Sequence, residues 1–312
     1  MFKMKLLHLL RSLTIIKCNS PVPRTFSQLA GEIQSKTSAK YNVKRLDHGD
    51  SLFCQAMLKV KSKKARLKSG LIALEGKRLI ENALQQGLQP EMIFYSRRKD
   101  IEELKNLNSE ILLYKLPYKD LQLWSDLTTS PGIIAFCKKP GRILNENSLP
   151  VTVVCDNVRE PGNLGAIIRS SAAAGVQRVV LIKGCVDVWD SKVLRGASGA
   201  HFHLPILEDI TWNDLTKQLT DEKNTKLLLA VNQPSTTILR CLPYFQVEYN
   251  KSDNIIIVVG GETEGLSEEV FKIARTFHGK ALNIPLSNNI ESLNCVSAVS
   301  VILFEIKRQL SL

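Results

Sequence analysis

Several features that would assign a chain to a class at once are missing from this sequence. Its seven cysteines include no CxxC pair, their number is odd, and most lie among apolar residues. Neither a disulfide framework nor a zinc site is therefore predicted, and no metal is expected. No uninterrupted apolar segment reaches the roughly 18 residues that a membrane-spanning helix needs. Internal repeats and low-complexity tracts are missing too, which leaves the composition of an ordinary globular protein with reduced, buried thiols.

Acidic residues are scarce at the N-terminus. Residues 1–70 contain 15 Lys and Arg against three Asp and Glu, whereas the rest of the chain contains 27 of each sign. The whole net charge of +12 therefore belongs to the N-terminal part. The isoelectric point consequently says little about what the folded body binds.

Residues 1–40 have the pattern of a targeting segment. Seven basic residues stand against one acid, Glu32, and four leucines would share one helix face: Leu6, Leu9, Leu10 and Leu13. An amphipathic, acid-poor N-terminus is typical of a mitochondrial transit peptide and predicts a location in the matrix. A secretory signal fits less well, because charged and polar residues interrupt the apolar run and no small-residue cleavage pattern follows. A disordered basic tail is the remaining alternative.

The next part of the chain is predicted to form a basic arm and a first domain. Residues 41–65 read as a flexible arm, and the densest basic run is KVKSKKARLK (59–68). Such a run is usually a solvated linker, and a phosphate-binding arm is the second interpretation. Residues 66–138 alternate helical and strand patterns and predict a small α/β domain. Residues 139–150 lack apolar periodicity and are interpreted as a linker.

Residues 151–312 are predicted to form a second α/β domain. Helical patterns separate four runs that are apolar throughout: VTVVC (151–155), RVVLI (178–182), KLLLAV (226–231) and NIIIVV (254–259). Strands that are apolar on both faces and alternate with helices predict a parallel sheet covered on both sides. Ligands bind such sheets in the loops that follow the strands.

Three stretches of this domain place polar residues directly beside apolar runs, which a packed core does not need. In the first, NVREPGNLGAIIRS (157–170), a turn leads into a helix that starts near Asn163, with Arg169 off the apolar stripe. A helix-capping asparagine and a surface arginine are the plain interpretation. Arginine is also the preferred side chain for holding a phosphate with two hydrogen bonds, which favours a functional role.

The second stretch, IIIVVGGETEGLS (255–267), sets two glycines and two glutamates after a strand. Gly260 and Gly261 would let the backbone approach a ligand closely. The spacing is not GxGxxG and no lysine follows, so neither a dinucleotide fingerprint nor a phosphate loop is predicted. A nucleotide-dependent oxidoreductase is disfavoured for this reason.

The third stretch, IPLSNNIESLNCVSAVSVILFE (284–305), joins a strand end and a polar loop to a long helix predicted over residues 291–310. Ser292 and Asn294 are short hydrogen-bonding residues near the start of that helix. Helix capping accounts for one of them more easily than for both. Cys295 is interpreted as a core residue.

Together, the three stretches resemble the motifs of the SpoU (TrmH-like) RNA ribose 2′-O-methyltransferases of the SPOUT class. The patterns NxRxPxNxGxxxR, GGExEGLS and IPLxxxxxSLNxxxAxxxxLFE follow the family's order and spacing. Residues 66–138 are similar to the substrate-binding domain that many members carry in front. The sequence departs from many relatives at residues 287–289, where Ser-Asn-Asn replaces small apolar residues. With the transit-like N-terminus, the resemblance is strongest to the family's mitochondrial large-subunit rRNA methyltransferases.

The resemblance implies a parallel-sheet SPOUT fold with a C-terminal trefoil knot, in a homodimer whose sites are completed across the interface. It also implies S-adenosyl-L-methionine as methyl donor and RNA, as mitochondrial rRNA or an assembling ribosomal particle, as substrate. The positions matching cofactor contacts are Gly260, Ile284 and Leu293, with Gly261 assigned beside Gly260. The positions matching catalytic and site-organising residues are Asn163, Arg169, Glu262, Ser292 and Asn294.

Methyl transfer to a ribose hydroxyl needs an in-line approach, a more nucleophilic oxygen and charge stabilisation. A guanidinium is essentially never deprotonated, so Arg169 is predicted to stabilise a phosphate and the alkoxide, while the proton leaves through a phosphate or water. The leading hypothesis is S-adenosylmethionine-dependent 2′-O-methylation of a ribose in mitochondrial large-subunit rRNA. The alternative is a catalytically weak RNA-binding factor for ribosome assembly on the same fold.

Overall fold

The computed structural model describes residues 41–141, 148–217, 224–231 and 239–311, so the predicted transit segment and half of the predicted linker lie outside it. Asn42–Leu312 belong to one compact unit with two β-sheets. The strands are β1 (Val43–Arg45), β2 (Leu71–Glu75), β3 (Pro90–Tyr95), β4 (Leu112–Lys115), β5 (Ile133–Lys138), β6 (Leu149–Asp156), β7 (Val176–Ile182), β8 (Ile206–Ile210), β9 (Thr225–Ala230), β10 (Cys241–Pro243), β11 (Asn254–Gly260) and β12 (Lys280–Asn283). The α-helices are α1 (Ser51–Leu58), α2 (Lys63–Ser69), α3 (Lys77–Gln85), α4 (Arg98–Glu102), α5 (Tyr118–Trp124), α6 (Pro161–Ala174), α7 (Ser191–Ala197), α8 (Trp212–Thr216), α9 (Glu268–Thr276) and α10 (Cys295–Leu310).

The first sheet has five strands in the order β1-β4-β3-β5-β2. β1, β4 and β3 pair in parallel, and β5 runs antiparallel to both of its neighbours. Helix α3 has the periodicity expected of an amphipathic helix, and its buried residues are those of the predicted stripe: Leu79, Ile80, Ala83 and Leu84. The predicted small α/β domain is therefore present.

The prediction that residues 41–65 form a flexible arm is wrong, because this segment is folded into the first domain. β1 pairs with β4, and α1 is capped by Asp50, whose side chain accepts from the Leu52 N–H at 2.8 Å. Phe53 on α1 is 2 % exposed, and its ring centroid lies 4.9 Å from that of Phe94. The basic residues of this segment lie in β1, in the loop after α1 and at the start of α2, whereas the buried residues Phe53, Ala56 and Met57 are on α1, so composition alone concealed the apolar side.

The second sheet has seven strands in the order β10-β12-β9-β11-β6-β7-β8, and every neighbouring pair is parallel. The four predicted strands are β6, β7, β9 and β11, and they lie side by side in the middle of the sheet. This confirms the predicted α/β class. The strands that were not predicted, β8 and β10, are short and carry no fully buried residue. The strand end predicted at residues 284–286 corresponds to β12, which ends at Asn283. The trefoil knot stays a prediction.

Side chains of the basic run hold the two domains together. Arg66 on α2 is ion-paired with Asp187, which follows β7, and both side chains are almost buried, at 11 % and 12 % exposed. Its guanidinium also donates to the Val60 carbonyl oxygen at 2.5 Å. From α3, the Asn82 amide donates to the Ser198 carbonyl oxygen at 2.7 Å. Arg66 therefore fixes the domain interface and is not available for a phosphate.

His201 is a buried titratable group in the second domain. Its side chain is 1 % exposed, and the Nε2–H donates to the Val188 carbonyl oxygen at 2.8 Å. The Nδ1 atom has no partner among the residues that the structure describes. Burial lowers the pKa of His201 to about 4, because an imidazolium would lose its hydration.

We predict that His201 makes the fold acid-sensitive. An unfolded histidine binds a proton near pH 6.5, whereas the folded one resists it down to about pH 4, so stability falls as the pH falls through this window. Between pH 7.5 and 5.0 the cost is about 2 kcal/mol. Urea unfolding at the two pH values measures it. His201→Gln, whose amide can still donate to Val188, should lose this pH dependence, and an unchanged dependence would contradict the assignment.

Other sequence-level expectations concern membranes, metals and thiols. None of the helices in the described part of the chain is long and apolar enough to cross a membrane. Within those same residues, no group of three or more His, Cys, Asp and Glu side chains could hold a metal ion. The six described cysteines are free thiols, and burial raises the pKa of Cys137 to about 12. Cys18 lies outside the described residues.

Candidate active site

A cavity of about 470 Å³ opens where β9, β11 and β12 end. Its walls are the turn after β11, the loop between β12 and α10, and the first turns of α10. Seven of the nine predicted site residues line it: Gly260, Gly261, Glu262, Ile284, Ser292, Leu293 and Asn294. Because all these strands are parallel, their carboxyl ends meet at one edge of the sheet, and the second and third motifs converge there.

A hydrogen-bonded cluster joins the first motif to this cavity. The Asn294 amide donates to the Glu262 carboxylate and also to Asn163 Oδ1, the latter at 3.3 Å. At the same time Asn294 Oδ1 accepts the Val296 N–H at 2.8 Å and caps α10. Asn294 therefore caps α10 and at the same time contacts Glu262 and Asn163. Ser292 lies outside the helix and lines the cavity.

Asp156, for which no role was predicted, locks the loop after β6 and the turn after β11 together. Asp156 is 2 % exposed; its carboxylate accepts the Ser267 N–H at 2.7 Å and its carbonyl oxygen accepts the Gly261 N–H at 3.0 Å. Arg159 forms an ion pair with Glu264 across the same junction. The only feature of the sequence that could have indicated this role is an acidic residue at the end of an apolar strand.

Gly260 and Gly261 have a packing role that the sequence did not predict. A Cβ atom at Gly261 would lie 2.1 Å from the Asn157 carbonyl oxygen, and one at Gly260 would lie 2.4 Å from the carbonyl carbon of Gly265. Both positions are therefore filled by the protein's own backbone. The glycines shape the cavity wall by letting two chain segments touch, and a ligand is not needed to explain them.

Two predicted helix starts need correction. Helix α6 begins at Pro161 with Glu160 as its N-cap residue, so Asn163 lies inside the first turn and its side chain is free to meet Asn294. Helix α10 begins at Cys295, four residues after the predicted start at 291. The intervening residues are the extended wall of the cavity. Short polar residues at these places indicated a helix terminus without indicating which of them caps it.

The interpretation of Cys295 as a core residue is also wrong. It is the first residue of α10, it is half-buried, and it lines the cavity. Burial raises the pKa of its thiol, and the nearby Glu262 carboxylate raises it further. Cys295 is therefore a protonated, neutral part of the cavity wall at physiological pH.

The loop that departs from the family pattern forms a tight turn. Asn288 and Asn289 both adopt left-handed backbone conformations, with φ of 59° and 57°, and the Ile290 N–H donates to the Ser287 carbonyl oxygen at 3.3 Å. Asparagine tolerates this conformation better than most residues. The Ser-Asn-Asn sequence is therefore explained by the left-handed backbone conformation of this turn.

Arg169 is the predicted site residue that the structure does not bring to the cavity. It lies on α6, its side chain is exposed, and it forms no hydrogen bond or ion pair with any residue that the structure describes. The adjacent Ser170 contacts Ser300 on α10 at 2.8 Å between the two Oγ atoms. Arg169 therefore lies on the surface that α6 and α10 share.

Comparison with known proteins agrees with this geometry. Residues 150–304 match the SpoU rRNA Methylase family, and residues 54–135 match the MRM3-like substrate binding domain. The chain belongs to the SpoU rRNA methylase family, and the predicted enzyme class, an RNA methyltransferase, is confirmed. The second match begins inside α1, in agreement with the folded start of the first domain.

Two relatives show which members of the family this chain is similar to. The chain is 37% identical over 305 residues to rRNA methyltransferase 3A, mitochondrial, of Danio rerio, which covers 84% of this chain and 69% of the relative. It is 36% identical over 309 residues to rRNA methyltransferase 3, mitochondrial, of Homo sapiens, covering 84% of this chain and 73% of that protein. The predicted resemblance to the mitochondrial members is therefore confirmed.

Solved structures show the same fold. An RNA 2′-O ribose methyltransferase aligns with a TM-score of 0.67 and 25% identity, over 85% of this chain and 99% of that one. The SpoU methyltransferase AviRb from Streptomyces viridochromogenes, solved in complex with the cofactor AdoMet, aligns with a TM-score of 0.70 and 21% identity, over 83% of this chain and 98% of that one. These alignments span both domains and confirm the predicted SPOUT fold class.

Proposed function

We propose that the protein transfers the methyl group of S-adenosylmethionine to the 2′-hydroxyl of a ribose in mitochondrial large-subunit rRNA. The observation that carries the proposal is the contact of Asn294 with both Glu262 and Asn163 at the rim of the cavity. It joins all three motifs at one point. The named relatives are mitochondrial rRNA methyltransferases, and the RNA 2′-O ribose methyltransferase fold supports the position of the methyl group.

The cavity fits the proposed methyl donor. Its volume of about 470 Å³ falls within the roughly 300–1,000 Å³ of small-molecule sites. Ile284 and Leu293 would contact apolar parts of the cofactor, and the backbone of Gly260 and Gly261 would form its wall. The Glu262 carboxylate at the rim complements a positive charge. When bound, S-adenosylmethionine supplies an electrophilic methyl group on a sulfonium.

The residues of the cluster have distinct parts in this proposal. Asn294 is fixed by the hydrogen bond that its Oδ1 accepts from the Val296 N–H. Its amide holds Glu262 and Asn163 in place, so it is a positioning residue. Glu262 and Ser292 offer oxygen atoms at the cavity to the incoming ribose. Arg169 keeps the predicted part of binding a phosphate and stabilising the alkoxide as the proton leaves.

We propose further that the active form is a homodimer in which Arg169 completes the cavity of the partner. The Arg169 side chain forms no hydrogen bond or ion pair with a described residue of its own chain. The neighbouring helix α10 carries an exposed apolar stripe. Phe304 is 48% exposed and Val301 is 36% exposed. Large apolar side chains grouped on one surface indicate a contact with another protein chain. Two-fold symmetry would place each Arg169 near the other chain's site.

The remaining free lysines of the basic run are predicted to bind RNA phosphates. Lys59, Lys64 and Lys68 are exposed, and no described residue pairs with them, whereas Lys63 and Arg66 are ion-paired with Asp209 and Asp187. Replacing the three free lysines with alanine should reduce the slope of log Kd against log salt by about 2 to 3. Fluorescence anisotropy with rRNA fragments measures the slope. The same slope as wild type would show that the run is merely solvated.

We propose a mitochondrial matrix location from the acid-poor, amphipathic pattern of residues 1–40 and from the names of the relatives. Fusing residues 1–40 to a fluorescent reporter should carry it into mitochondria. A diffuse cytosolic reporter would contradict this part of the proposal.

The proposed reaction is tested directly with purified protein. Calorimetry should show one S-adenosylmethionine site per chain, and nucleoside analysis of a treated large-subunit rRNA fragment should show a new 2′-O-methylated nucleoside. Cofactor binding with a methyl group on a base would contradict the proposed position. Rejection of the cofactor would contradict the reaction altogether.

A further inference from the structure

A second cavity, of about 590 Å³, lies in the first domain and shares no residue with the candidate active site. It opens at the carboxyl ends of β1, β4 and β3, where parallel strands commonly hold ligands. Its floor is apolar, since Leu46 and Leu116 are 8% and 4% exposed. Three basic residues, one acidic residue and one aromatic residue stand around this floor: Arg45, Arg97, Lys115, Asp47 and Tyr118.

Two of the basic side chains around this cavity have no stabilising role in the fold. Arg45 and Lys115 are direct partners in the register of β1 and β4, so two like charges lie on the same face of neighbouring strands. Like charges placed opposite each other destabilise a sheet. Neither side chain has a hydrogen bond or ion pair with a residue in the described part of the chain. Arg97, by contrast, is ion-paired with Asp100 at 3.0 Å. Arg45 and Lys115 are thus available for an external anion.

The aromatic residue is held as a rigid platform. Tyr118 is 41% exposed, yet its hydroxyl donates to the Ser130 carbonyl oxygen at 3.0 Å and lies 3.1 Å from Gln122 Oε1. An exposed ring that is fixed by hydrogen bonds loses little entropy when a base stacks on it. Stacking on aromatic side chains is how proteins hold unpaired bases of RNA.

The position of the cavity connects it to the catalytic domain. Ser130 lines the cavity, and its hydroxyl lies 3.4 Å from Glu75 Oε1. Glu75 in turn lines a third cavity, of about 440 Å³, between the two domains. Pro161, the first residue of α6, lines that same cavity, two residues before Asn163. The contact between Ser130 and Glu75 therefore connects the cavity at Tyr118 with the cavity that reaches the start of α6.

We propose that the cavity at Arg45, Lys115 and Tyr118 binds an unpaired nucleotide of the RNA substrate, at a distance from the methylated ribose. The base stacks on Tyr118 above the apolar floor, and Arg45 and Lys115 bind its flanking phosphates. The inference rests on the proposed function in that the substrate is RNA. It adds that the first domain selects RNA that carries a single-stranded nucleotide at a distance from the methylated ribose.

The test compares the affinities of variants for a labelled fragment of mitochondrial large-subunit rRNA. Arg45→Ala/Lys115→Ala should weaken binding about tenfold and reduce the slope of log Kd against log salt by about 1.4 to 1.8. Tyr118→Ala should weaken binding about tenfold, whereas Tyr118→Phe, which keeps the ring, should stay within about threefold of wild type. The matched control is Lys105→Ala/Lys251→Ala, which removes two exposed, unpaired lysines of the described residues away from the cavity.

The outcomes separate this inference from the proposed function. S-adenosylmethionine affinity should be unchanged in Arg45→Ala/Lys115→Ala, which also shows that the variant is folded. If wild type methylates the fragment and this variant binds it as the control does, the inference is overturned and the proposed function stands. If wild type neither binds nor methylates rRNA, both are overturned.

Discussion

Replacing Arg169 with alanine is expected to reduce the rate of methyl transfer by about 10²- to 10³-fold, the usual cost of removing a group that stabilises transition-state charge. S-adenosylmethionine affinity should stay near that of wild type, since the second and third motifs line the cavity and Arg169 belongs to the first. The loss should appear in kcat much more than in the KM for RNA. Arg169→Lys should retain a little activity, because it keeps the charge and loses the planar fork.

The control is an arginine of similar exposure without a proposed role. Arg275 on α9 is exposed and has no side-chain partner among the described residues, so Arg275→Ala should change turnover little. Replacing an exposed surface residue usually costs within about 0.5 kcal/mol. Wild-type turnover in Arg169→Ala would remove this residue from the site and leave catalysis to Asn163, Glu262, Ser292 and Asn294.

Mixing two inactive variants tests whether Arg169 acts in the partner's site. In a heterodimer of Arg169→Ala and Glu262→Ala chains, one cavity combines an intact Glu262 with the intact Arg169 of the other chain. Random reassociation of equal amounts should therefore restore about a quarter of wild-type activity. If Arg169 serves its own chain, no cavity in the mixture is complete, and the mixture should stay inactive.

Replacing Gly261 with alanine is expected to destabilise the fold by about 2–3 kcal/mol and to weaken S-adenosylmethionine binding at least tenfold. The added Cβ would lie 2.1 Å from the Asn157 carbonyl oxygen, so the turn after β11 and the loop after β6 must separate. The turn forms one wall of the cavity, and its displacement changes the cavity shape. Urea unfolding and calorimetry measure the two effects.

Gly162 is the matched control for this experiment. It lies in the first turn of α6, and a Cβ there would meet only Glu160 Oε1 at an ordinary 3.6 Å. Glycine inside a helix is less stable than alanine, so Gly162→Ala should leave stability unchanged or raise it by up to about 1 kcal/mol. Equal behaviour of the two variants would contradict the packing role of Gly261.

Sequence reasoning succeeded where periodicity and chain direction determine structure. The four long apolar strands could only be buried on both faces, and their parallel arrangement brings the second and third motifs to one edge of the sheet. Glu262, Ser292 and Asn294 converge on the cavity for this reason. The alternation of helix and strand likewise predicted the first domain.

The features that sequence reasoning missed depend on contacts between distant parts of the chain. Arg66 appeared to belong to a free basic run because its partner Asp187 is 121 residues away. The packing role of Gly261 was missed because the backbone that it touches, at Asn157, belongs to the loop after another strand. Cys295 was assigned to the core because the sequence does not show which residue caps α10, and therefore does not show that Cys295 begins the helix at the cavity. Such pairings leave no periodic trace in the sequence.

The central claim is that this protein methylates a ribose of mitochondrial large-subunit rRNA, and mapping 2′-O-methylation in that rRNA tests it most directly. Cells depleted of the protein should lose methylation at one site or a small set of sites, wild-type protein should restore it, and Arg169→Ala at the same level should not. Full restoration by a variant with both Arg169→Ala and Asn294→Ala, or an unchanged methylation map after depletion, would contradict the account and favour an RNA-binding assembly factor.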